Sequence, residues 1–260
     1  MTANYHTHTP RCRHASGTER EYAENARKGG LRILGFSDHT PYDYSPSAYK
    51  SGIRMEVEEL GDYVSTLEGL RREYEGQLDI RIGLEVEYYP KLFRRLLDTA
   101  KAHGVEYMIL GQHFVGNEEG EPYSGQPTDD EGILDRYVKQ SIEGLQTGAI
   151  TYVAHPDLMR YVGDGRIYDR HMRELCRAAR DLSIPLEINL LGVRDHRHYP
   201  NEAFWRIAGE EGNTAILGSD AHQPEAVVCP EAEAAGRALA ERYGLPVLET
   251  MPLRDIRTLG

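Results

Sequence analysis

The chain has 260 residues, of which 40% are hydrophobic, enough for the core of one domain that we expect to span residues 1–260. Its formal net charge of −12 disfavours nucleic acid as a partner, because binding to phosphate backbones depends on lysine and arginine. With three cysteines and no apolar stretch near the roughly 18 residues that cross a bilayer, it is expected to be cytoplasmic, with neither a disulfide framework nor a membrane partner.

Apolar runs typical of β-strands alternate with helix-like segments along the chain, the order expected for parallel strands joined by crossover helices. Strands are predicted near residues 3–8, 32–37, 79–86, 106–112, 150–155, 185–190 and 214–219. Helices are predicted near residues 18–29, 56–75, 91–103, 131–147, 168–183, 201–211 and 231–243. Two polar stretches, residues 40–54 and 114–130, are candidates for lids or walls of a site.

Residue types that bind metals recur where the predicted strands end. His6 and His8 lie two apart on the first strand and should point the same way, as neighbouring ligands of one ion. Similar groups lie at the ends of the second, third, fourth, fifth and seventh predicted strands. They are Asp38-His39, Glu85-Val86-Glu87, Gln112-His113, His155-Pro156 and Asp220-Ala221-His222. An open doubly wound sheet stays possible, but ligands from so many strands favour a closed α/β barrel with the site at the carboxyl-end rim.

Taken together, these motifs resemble the PHP (polymerase and histidinol phosphatase) superfamily over about residues 4 to 224, most closely its stand-alone histidinol-phosphate phosphatase branch. The residues that carry the resemblance are His6-Thr7-His8, His14, Ser37-Asp38-His39, Glu85, His113, His155-Pro156 and Gly218-Ser219-Asp220-Ala221-His222. The resemblance implies a distorted (β/α)7 TIM-like barrel. It also implies two or three divalent ions, for which zinc, manganese and iron all suit nitrogen and carboxylate ligands.

The resemblance further implies which side chains hold each ion. One ion would be bound by His6, His8, Glu85 and Asp220, and Glu85 would bridge to a second ion held by His113 and His155. A third ion would be bound by His14, His39 and His222. Arg160 and Arg197 match the family's phosphate-binding arginines and are expected to bind substrate and assist catalysis. Glu87 and Asn189 are expected to support the ligands.

The chemistry of such a centre favours a phosphorylated substrate. Divalent ions neutralised by only two carboxylates, Glu85 and Asp220, keep a positive charge that attracts an oxyanion. Closely spaced metals also lower the pKa of a shared water and hold phosphoryl oxygens during in-line attack. The resemblance implies a histidinol-phosphatase of histidine biosynthesis, a monomer or small homo-oligomer that hydrolyses L-histidinol phosphate by attack of a metal-bound hydroxide.

Several alternatives stay open. The chain could be a PHP-type nuclease or nucleotide phosphoesterase, or a non-catalytic scaffold, although a scaffold predicts missing ligands. Cys12 is a packing residue or a soft zinc ligand, and the acidic residues Glu118, Glu119 and Glu121 form a solvated loop or recognise a cationic substrate. Candidates for protonating the leaving group are Asp38, Asp157, His196 and His198.

Overall fold

A computed structural model describes residues 1–259 of the chain. Within them, eight parallel strands form one sheet in chain order. The strands are β1 (Ala3–Asn4), β2 (Ile33–His39), β3 (Asp79–Val86), β4 (Tyr107–Leu110), β5 (Ile150–Val153), β6 (Leu186–Asn189), β7 (Ala215–Gly218) and β8 (Val247–Leu248). All seven predicted strands are present, and the two-residue β8 is an addition.

Helices connect these strands and cover the outside of the sheet. They are α1 (Glu19–Lys28), α2 (Leu60–Glu73), α3 (Phe93–His103), α4 (Glu131–Gln146), α5 (Gly165–Asp181), α6 (Leu190–Arg194), α7 (Glu202–Glu210) and α8 (Pro230–Arg242). A capping box formed by Thr18 and Glu21 starts α1. The short α6 was not predicted. None of the helices within residues 1–259 is long and apolar enough to span a bilayer.

The sheet curls into a TIM-like α/β half-barrel, which confirms the predicted fold class. An isolated parallel bridge between Thr7 and Ala221 joins the segments that follow β1 and β7. In this bridge the backbone N–H of His8 donates to the carbonyl of Ala221 at 2.9 Å. The strand β8 pairs with the opposite, amino-terminal end of β7, through Ala215 and Val247. The first and seventh strands therefore meet directly at the carboxyl-end rim.

The interior below this rim is filled by side chains. Tyr5, Tyr107 and Tyr152 are buried in one apolar cluster, and the Tyr107 hydroxyl donates to the carbonyl of Tyr5 at 2.8 Å. Met251 and Leu253, in the segment after β8, pack against the same cluster. A larger apolar core lies between the sheet and the helices. Because the interior is packed, polar chemistry is confined to the rim.

Candidate metal centre

The ligand-type residues of the different strands converge at the carboxyl-end rim. Three imidazoles, His14, His39 and His222, have nitrogens within 4.8 Å of one another, the set expected for a third ion. Other close sets are His6, His8 and Glu85; His39, Glu85 and His113; and His6, His155 and Asp220. The sets share members, so the nine predicted ligands form one continuous cluster.

Two carboxylates hold the centre of this cluster. The Oδ1 atom of Asp220 lies 3.1 Å from Nε2 of His8 and 3.5 Å from Nε2 of His6. The Oε1 atom of Glu85 lies 2.7 Å from Nε2 of His155, 3.5 Å from Nε2 of His6 and 3.7 Å from Nε2 of His113. Glu85 therefore lies between the first and second predicted ligand sets, where a bridging carboxylate is expected.

Unpaired polar atoms indicate that these residues fit divalent cations. Within residues 1–259, Glu85 Oε2 and Asp220 Oδ1 are buried without a hydrogen-bond partner. The Nε2 atoms of His6 and His8 face each other at 3.2 Å, and those of His14 and His222 at 3.0 Å. Bare carboxylate oxygens beside paired imidazole nitrogens are the donor set that zinc, manganese and iron accept.

Burial and neighbouring charge set the protonation of the cluster. Burial, assisted by the charge of His8, lowers the pKa of His39 to about 3, and the same two effects hold the pKa of His222 well below its usual value. Burial opposes ionisation of Glu85, but the surrounding imidazoles outweigh it and hold the pKa of Glu85 well below the usual range. Burial opposes protonation of His6 and His8, but neighbouring carboxylates, Glu187 for His6 and Asp220 for His8 foremost, outweigh it and hold both pKa values well above the usual value. Because metal ions bind neutral imidazoles and ionised carboxylates, metal binding at His6 and His8 would displace protons.

Backbone conformation at two of the predicted ligands is unusual for residues with a side chain. His155 has φ of 29° and Asp220 has φ of 46°, both in the left-handed region. Such conformations cost free energy and are concentrated at functional sites, where the surrounding structure maintains them. Here they occur directly after β5 and β7, where the chain turns the ligand side chains into the cluster.

Two buried carboxylates, Glu85 and Glu187, each lie against a glycine at the end of the adjacent strand. A Cβ atom at Gly111 would lie 2.0 Å from Oε1 of Glu85, and one at Gly218 would lie 1.6 Å from Oε1 of Glu187. No side chain fits at such distances. These glycines are needed because carboxylates of adjacent strands occupy the space that a side chain would fill.

Buried carboxylates also orient three of the predicted ligand imidazoles through their Nδ1 atoms. His6 Nδ1 lies 2.8 Å from Glu187, His8 Nδ1 lies 3.3 Å from Asp38 and His113 Nδ1 lies 3.1 Å from Glu87. In each case Nε2 is left facing the cluster, which is the usual arrangement of histidines that bind metals. The supporting position of Glu87 was predicted, whereas that of Glu187 was missed.

The other predicted supporting residue, Asn189, contacts a ligand carboxylate. Its amide nitrogen donates to Oδ2 of Asp220 at 3.0 Å and to Glu187 at 3.1 Å. Its amide oxygen accepts from the N–H of Gly192 at 3.2 Å and so begins α6. Asn189 thereby fixes both the predicted ligand Asp220 and the helix that precedes Arg197.

A pocket of about 510 Å³ opens above the cluster, a volume suited to a small ligand. Arg197 lies in its wall and donates to the Tyr199 hydroxyl at 3.1 Å. Arg194, which the sequence did not single out, lies in the same wall and pairs with Asp195 at 3.0 Å. Tyr123 and Gln223 add polar groups to the wall, so the pocket contains donors suited to phosphate oxygens.

Arg160 differs from Arg197 in its position. Its side chain is exposed, and it is not among the described residues that line the pocket. Its backbone N–H donates to the carbonyl of Ser124 at 2.9 Å, which fixes the neighbouring loop. Its predicted substrate contact stays a prediction.

The four candidate proton donors also lie outside the pocket wall formed by the described residues. Asp38 orients His8, and Asp157 is buried where it accepts hydrogen bonds from the Asn201 N–H at 2.6 Å and Trp205 Nε1 at 3.0 Å. His198 Nε2 pairs with the Leu158 carbonyl at 2.8 Å, and His196 is exposed. Their surroundings indicate structural contacts for Asp38, Asp157 and His198.

Glu118 has a different environment from the two that the sequence suggested for the acidic loop, whereas Glu119 is exposed, as expected for a solvated loop. Glu118 is buried and accepts hydrogen bonds from the hydroxyls of Tyr44 at 2.8 Å and Tyr49 at 2.9 Å. It also pairs with Arg54 at 2.8 Å. Glu118 therefore joins the two polar loops to each other, and its carboxylate is used within the protein.

Cys12 is fully buried, with its sulfur within 4.8 Å of ligand atoms of His8 and His222.

Comparisons with known proteins agree with this geometry. The model of the PHP domain family matches residues 4–190. The probable histidinol-phosphatase of Deinococcus radiodurans is 32% identical over 228 residues, which cover 84% of this chain and 85% of that protein. The histidinol-phosphatase of Bacillus subtilis is 38% identical over 117 residues, 42% of this chain and 43% of that protein.

A solved structure shares the fold over nearly the whole chain. The histidinol phosphate phosphatase of Lactococcus lactis, complexed with zinc, L-histidinol and phosphate, aligns with a TM-score of 0.75 at 19% identity. The alignment covers 98% of each chain. At this identity the likeness shows a common architecture.

Proposed function

The chain belongs to the PHP domain family, and from this premise we propose that it is a metal-dependent phosphomonoesterase that hydrolyses L-histidinol phosphate to L-histidinol and phosphate. The observation that carries the proposal is the single cluster of nine ligand-type residues below a pocket whose wall contains arginines. Relatives that are histidinol-phosphatases support the choice of substrate.

Two or three divalent ions, zinc, manganese or iron, are proposed at this cluster. His6, His8, Glu85 and Asp220 would hold one; Glu85, His113 and His155 a second; and His14, His39 and His222 a third. When bound, such ions supply a water of lowered pKa and positive charge beside the phosphoryl oxygens. The carboxylate partners of the imidazoles hold each ring in one orientation.

The pocket wall provides the groups for binding phosphate. We assign this role to Arg197, and Arg194 is a further candidate because it lies in the wall beside Arg197. Arg160 lies outside the wall and is retained as a candidate from the family resemblance. Guanidinium groups donate two parallel hydrogen bonds to phosphate oxygens. Burial raises the pKa of the Tyr199 phenol, so this hydroxyl keeps its proton. It accepts from Arg197 and can donate its own hydrogen into the pocket.

The domain organisation, oligomeric state, location and partner are proposed on the same basis. Residues 1–260 would form one domain acting as a monomer or small homo-oligomer in the cytoplasm, within histidine biosynthesis. The partner is a small phosphorylated molecule, consistent with a pocket of about 510 Å³. A nucleic-acid substrate is disfavoured by the formal net charge of −12.

The test compares three substrates with protein whose metal content has been measured. Phosphate release from L-histidinol phosphate is expected to exceed strongly the hydrolysis of p-nitrophenyl phosphate and of a dinucleotide. Activity on the dinucleotide alone would favour the nuclease, and a metal-loaded protein inactive on all three would be a scaffold. Glu85→Ala and His113→Ala should lose turnover by several powers of ten. The control is His103→Ala, because His103 is exposed at the end of α3, outside the cluster.

A further inference from the structure

We propose that Arg54 is a positioning residue that couples the two polar rim loops to the metal ligand His113, so that loop docking slows the release of metal ions. The first rim loop is residues 40–54 and the second is residues 114–130. The inference rests on the proposed function, because it requires ions at the cluster. It assigns a role to a buried cation that contacts neither the pocket nor any predicted ligand directly.

Arg54 is the link between the first rim loop and the cluster. Its side chain is 2% exposed although it lies in a polar loop. It donates from Nη1 to Glu87 Oε2 at 3.0 Å and from Nη2 to Glu87 Oε1 at 2.9 Å. The guanidinium thus forms two parallel bonds with one carboxylate, which fixes that carboxylate in both position and plane.

Glu87 passes this constraint to a metal ligand. The Oε1 atom that accepts from Arg54 also lies 3.1 Å from Nδ1 of His113. The opposite nitrogen of the same ring, Nε2, faces Oε1 of Glu85 at 3.7 Å. Three consecutive contacts therefore lead from Arg54 to the centre, and the orientation of His113 depends on where Glu87 is held.

Arg54 also holds the second rim loop. Its Nε atom donates to Glu118 Oε2 at 2.8 Å. Glu118 accepts in addition from Ser51 at 2.5 Å and from the hydroxyls of Tyr44 and Tyr49, all in the first rim loop. One guanidinium consequently joins both loops, and these loops contribute the pocket-lining residues Ile53 and Phe114.

Arg54 also supplies the positive charge that compensates two buried carboxylates, Glu87 and Glu118, and no other lysine or arginine of the described residues pairs with them. Glu87 is 0% exposed and Glu118 is 7% exposed. Buried carboxylates without a cation are strongly unfavourable, so both would move or take up water if Arg54 were removed. His113 would then lose its fixed partner at the same time as the loops separate.

The test measures zinc release from the loaded full-length protein into excess 4-(2-pyridylazo)resorcinol. In Arg54→Met, at least one kinetic phase of release is expected to accelerate about 10–100-fold. Arg95→Met is the matched control, since Arg95 pairs with Asp43 in the first rim loop at the surface. The control should release zinc at the wild-type rate. Equal acceleration in both variants, or none in Arg54→Met, would overturn the proposal.

A double variant separates positioning from simple loop attachment. If Arg54 acts through Glu87, then Arg54→Met combined with Glu87→Gln should release zinc no more than about twofold faster than Glu87→Gln alone. If the double variant instead releases zinc with the product of the two single accelerations, Arg54 acts independently of Glu87, contrary to the proposal.

A conservative variant covers the case in which Arg54→Met does not fold. Arg54→Lys keeps the charge but cannot form the paired bonds, so its release should be at least about threefold faster than wild type. A wild-type rate in this folded variant would contradict the inference and leave the proposed function intact. Wild-type protein that binds no zinc, manganese or iron would overturn both.

Discussion

At the scale of single residues, the orientation of each imidazole matters as much as its presence. A carboxylate on Nδ1 keeps the proton there and leaves the Nε2 lone pair directed at the centre. Glu187 does more than this, because one of its oxygens faces His6 Nδ1 at 2.8 Å and the other accepts from the His155 N–H at 3.0 Å. It therefore holds two predicted ligands from a single buried position.

This double contact makes Glu187→Gln informative. Glutamine has the same shape but only one accepting oxygen, so either the His6 ring or the His155 backbone must lose its partner. We expect zinc affinity and kcat/KM to fall about 10–100-fold. Equilibrium competition with a chelator and steady-state kinetics measure the two effects. Glu174→Gln, an exposed change on α5, is the control, and wild-type affinity in Glu187→Gln would refute the assigned role.

The pocket arginines can be ranked by the same approach. Arg197→Met removes a guanidinium from the pocket wall and is expected to lower kcat/KM for histidinol phosphate about 10–100-fold, the usual effect of losing a charged hydrogen bond. Arg194→Met and Arg160→Met, measured alongside, identify which second arginine contacts phosphate. Unchanged kcat/KM in Arg197→Met would exclude it from substrate binding.

Sequence predicted the ligand cluster better than its supporting residues. The ligand types recur at strand ends and match an ordered family motif, so positions such as His6 and Glu85 were recognisable together. Glu187 is a lone acid in an apolar run, and Arg194 is one arginine in an unpredicted helix. Only the folded arrangement brings them to the site, because their roles depend on contacts distant in sequence.

At the scale of elements, ion pairs join the outer helices α5 and α7. Arg173 and Arg177 of α5 pair with Glu211, directly after α7, at 2.6 Å and 2.9 Å. Hydrogen bonds from these arginines, Arg177 first, hold the pKa of Glu211 below its usual range. Because the folded pKa is below the unfolded one, the stabilisation exists above the unfolded pKa of about 4.3 and is lost as pH falls through the folded value.

Glu211→Gln tests this helix contact. At pH 7 the variant should be less stable by about 1 kcal/mol, which lowers Tm by about 2–4 °C. The difference from wild type should shrink below about pH 4, where the wild-type carboxylate is also protonated. Thermal unfolding followed by circular dichroism across this pH range measures both effects, with Glu174→Gln again as the control. A difference that persists unchanged in acid would assign the effect to packing.

Short elements were the ones that sequence could not predict. The strand β8 has two residues and α6 has five, too few to show a period in their apolar residues. The first strand ends at Asn4, earlier than predicted, so His6 and His8 follow the ladder and are held by the Thr7–Ala221 bridge. These elements depend on tertiary contacts, which local patterns do not contain.

At the scale of the whole molecule, the segment after β8 covers the end of the barrel opposite the site. Ile256 is fully buried in the main core, and its N–H donates to the Glu106 carbonyl at 2.9 Å, just before β4. Contacts that stabilise the fold therefore lie at the amino ends of the strands and the candidate site lies at their carboxyl ends, a separation that is typical of α/β barrels.

Ile256→Ala should therefore reduce stability without impairing the reaction. Loss of the buried side chain is expected to cost about 2–4 kcal/mol and to lower Tm by roughly 5–10 °C. Zinc content and kcat at 25 °C should match wild type, since the substitution lies at the far end of the strands. Val162→Ala, at a side chain that is 59% exposed, is the control for thermal unfolding. A large drop in kcat with normal folding would show that the two ends are coupled.

The Thr7–Ala221 bridge has a consequence for the protein's synthesis. It places the first predicted ligands along the chain, His6 and His8, against the last ones, Asp220 and His222. A nascent polypeptide lacks that last pair until residue 222 has been synthesised, so the full set of predicted ligands cannot assemble before that point. Chains that terminate before Asp220 would therefore retain only part of the proposed metal centre.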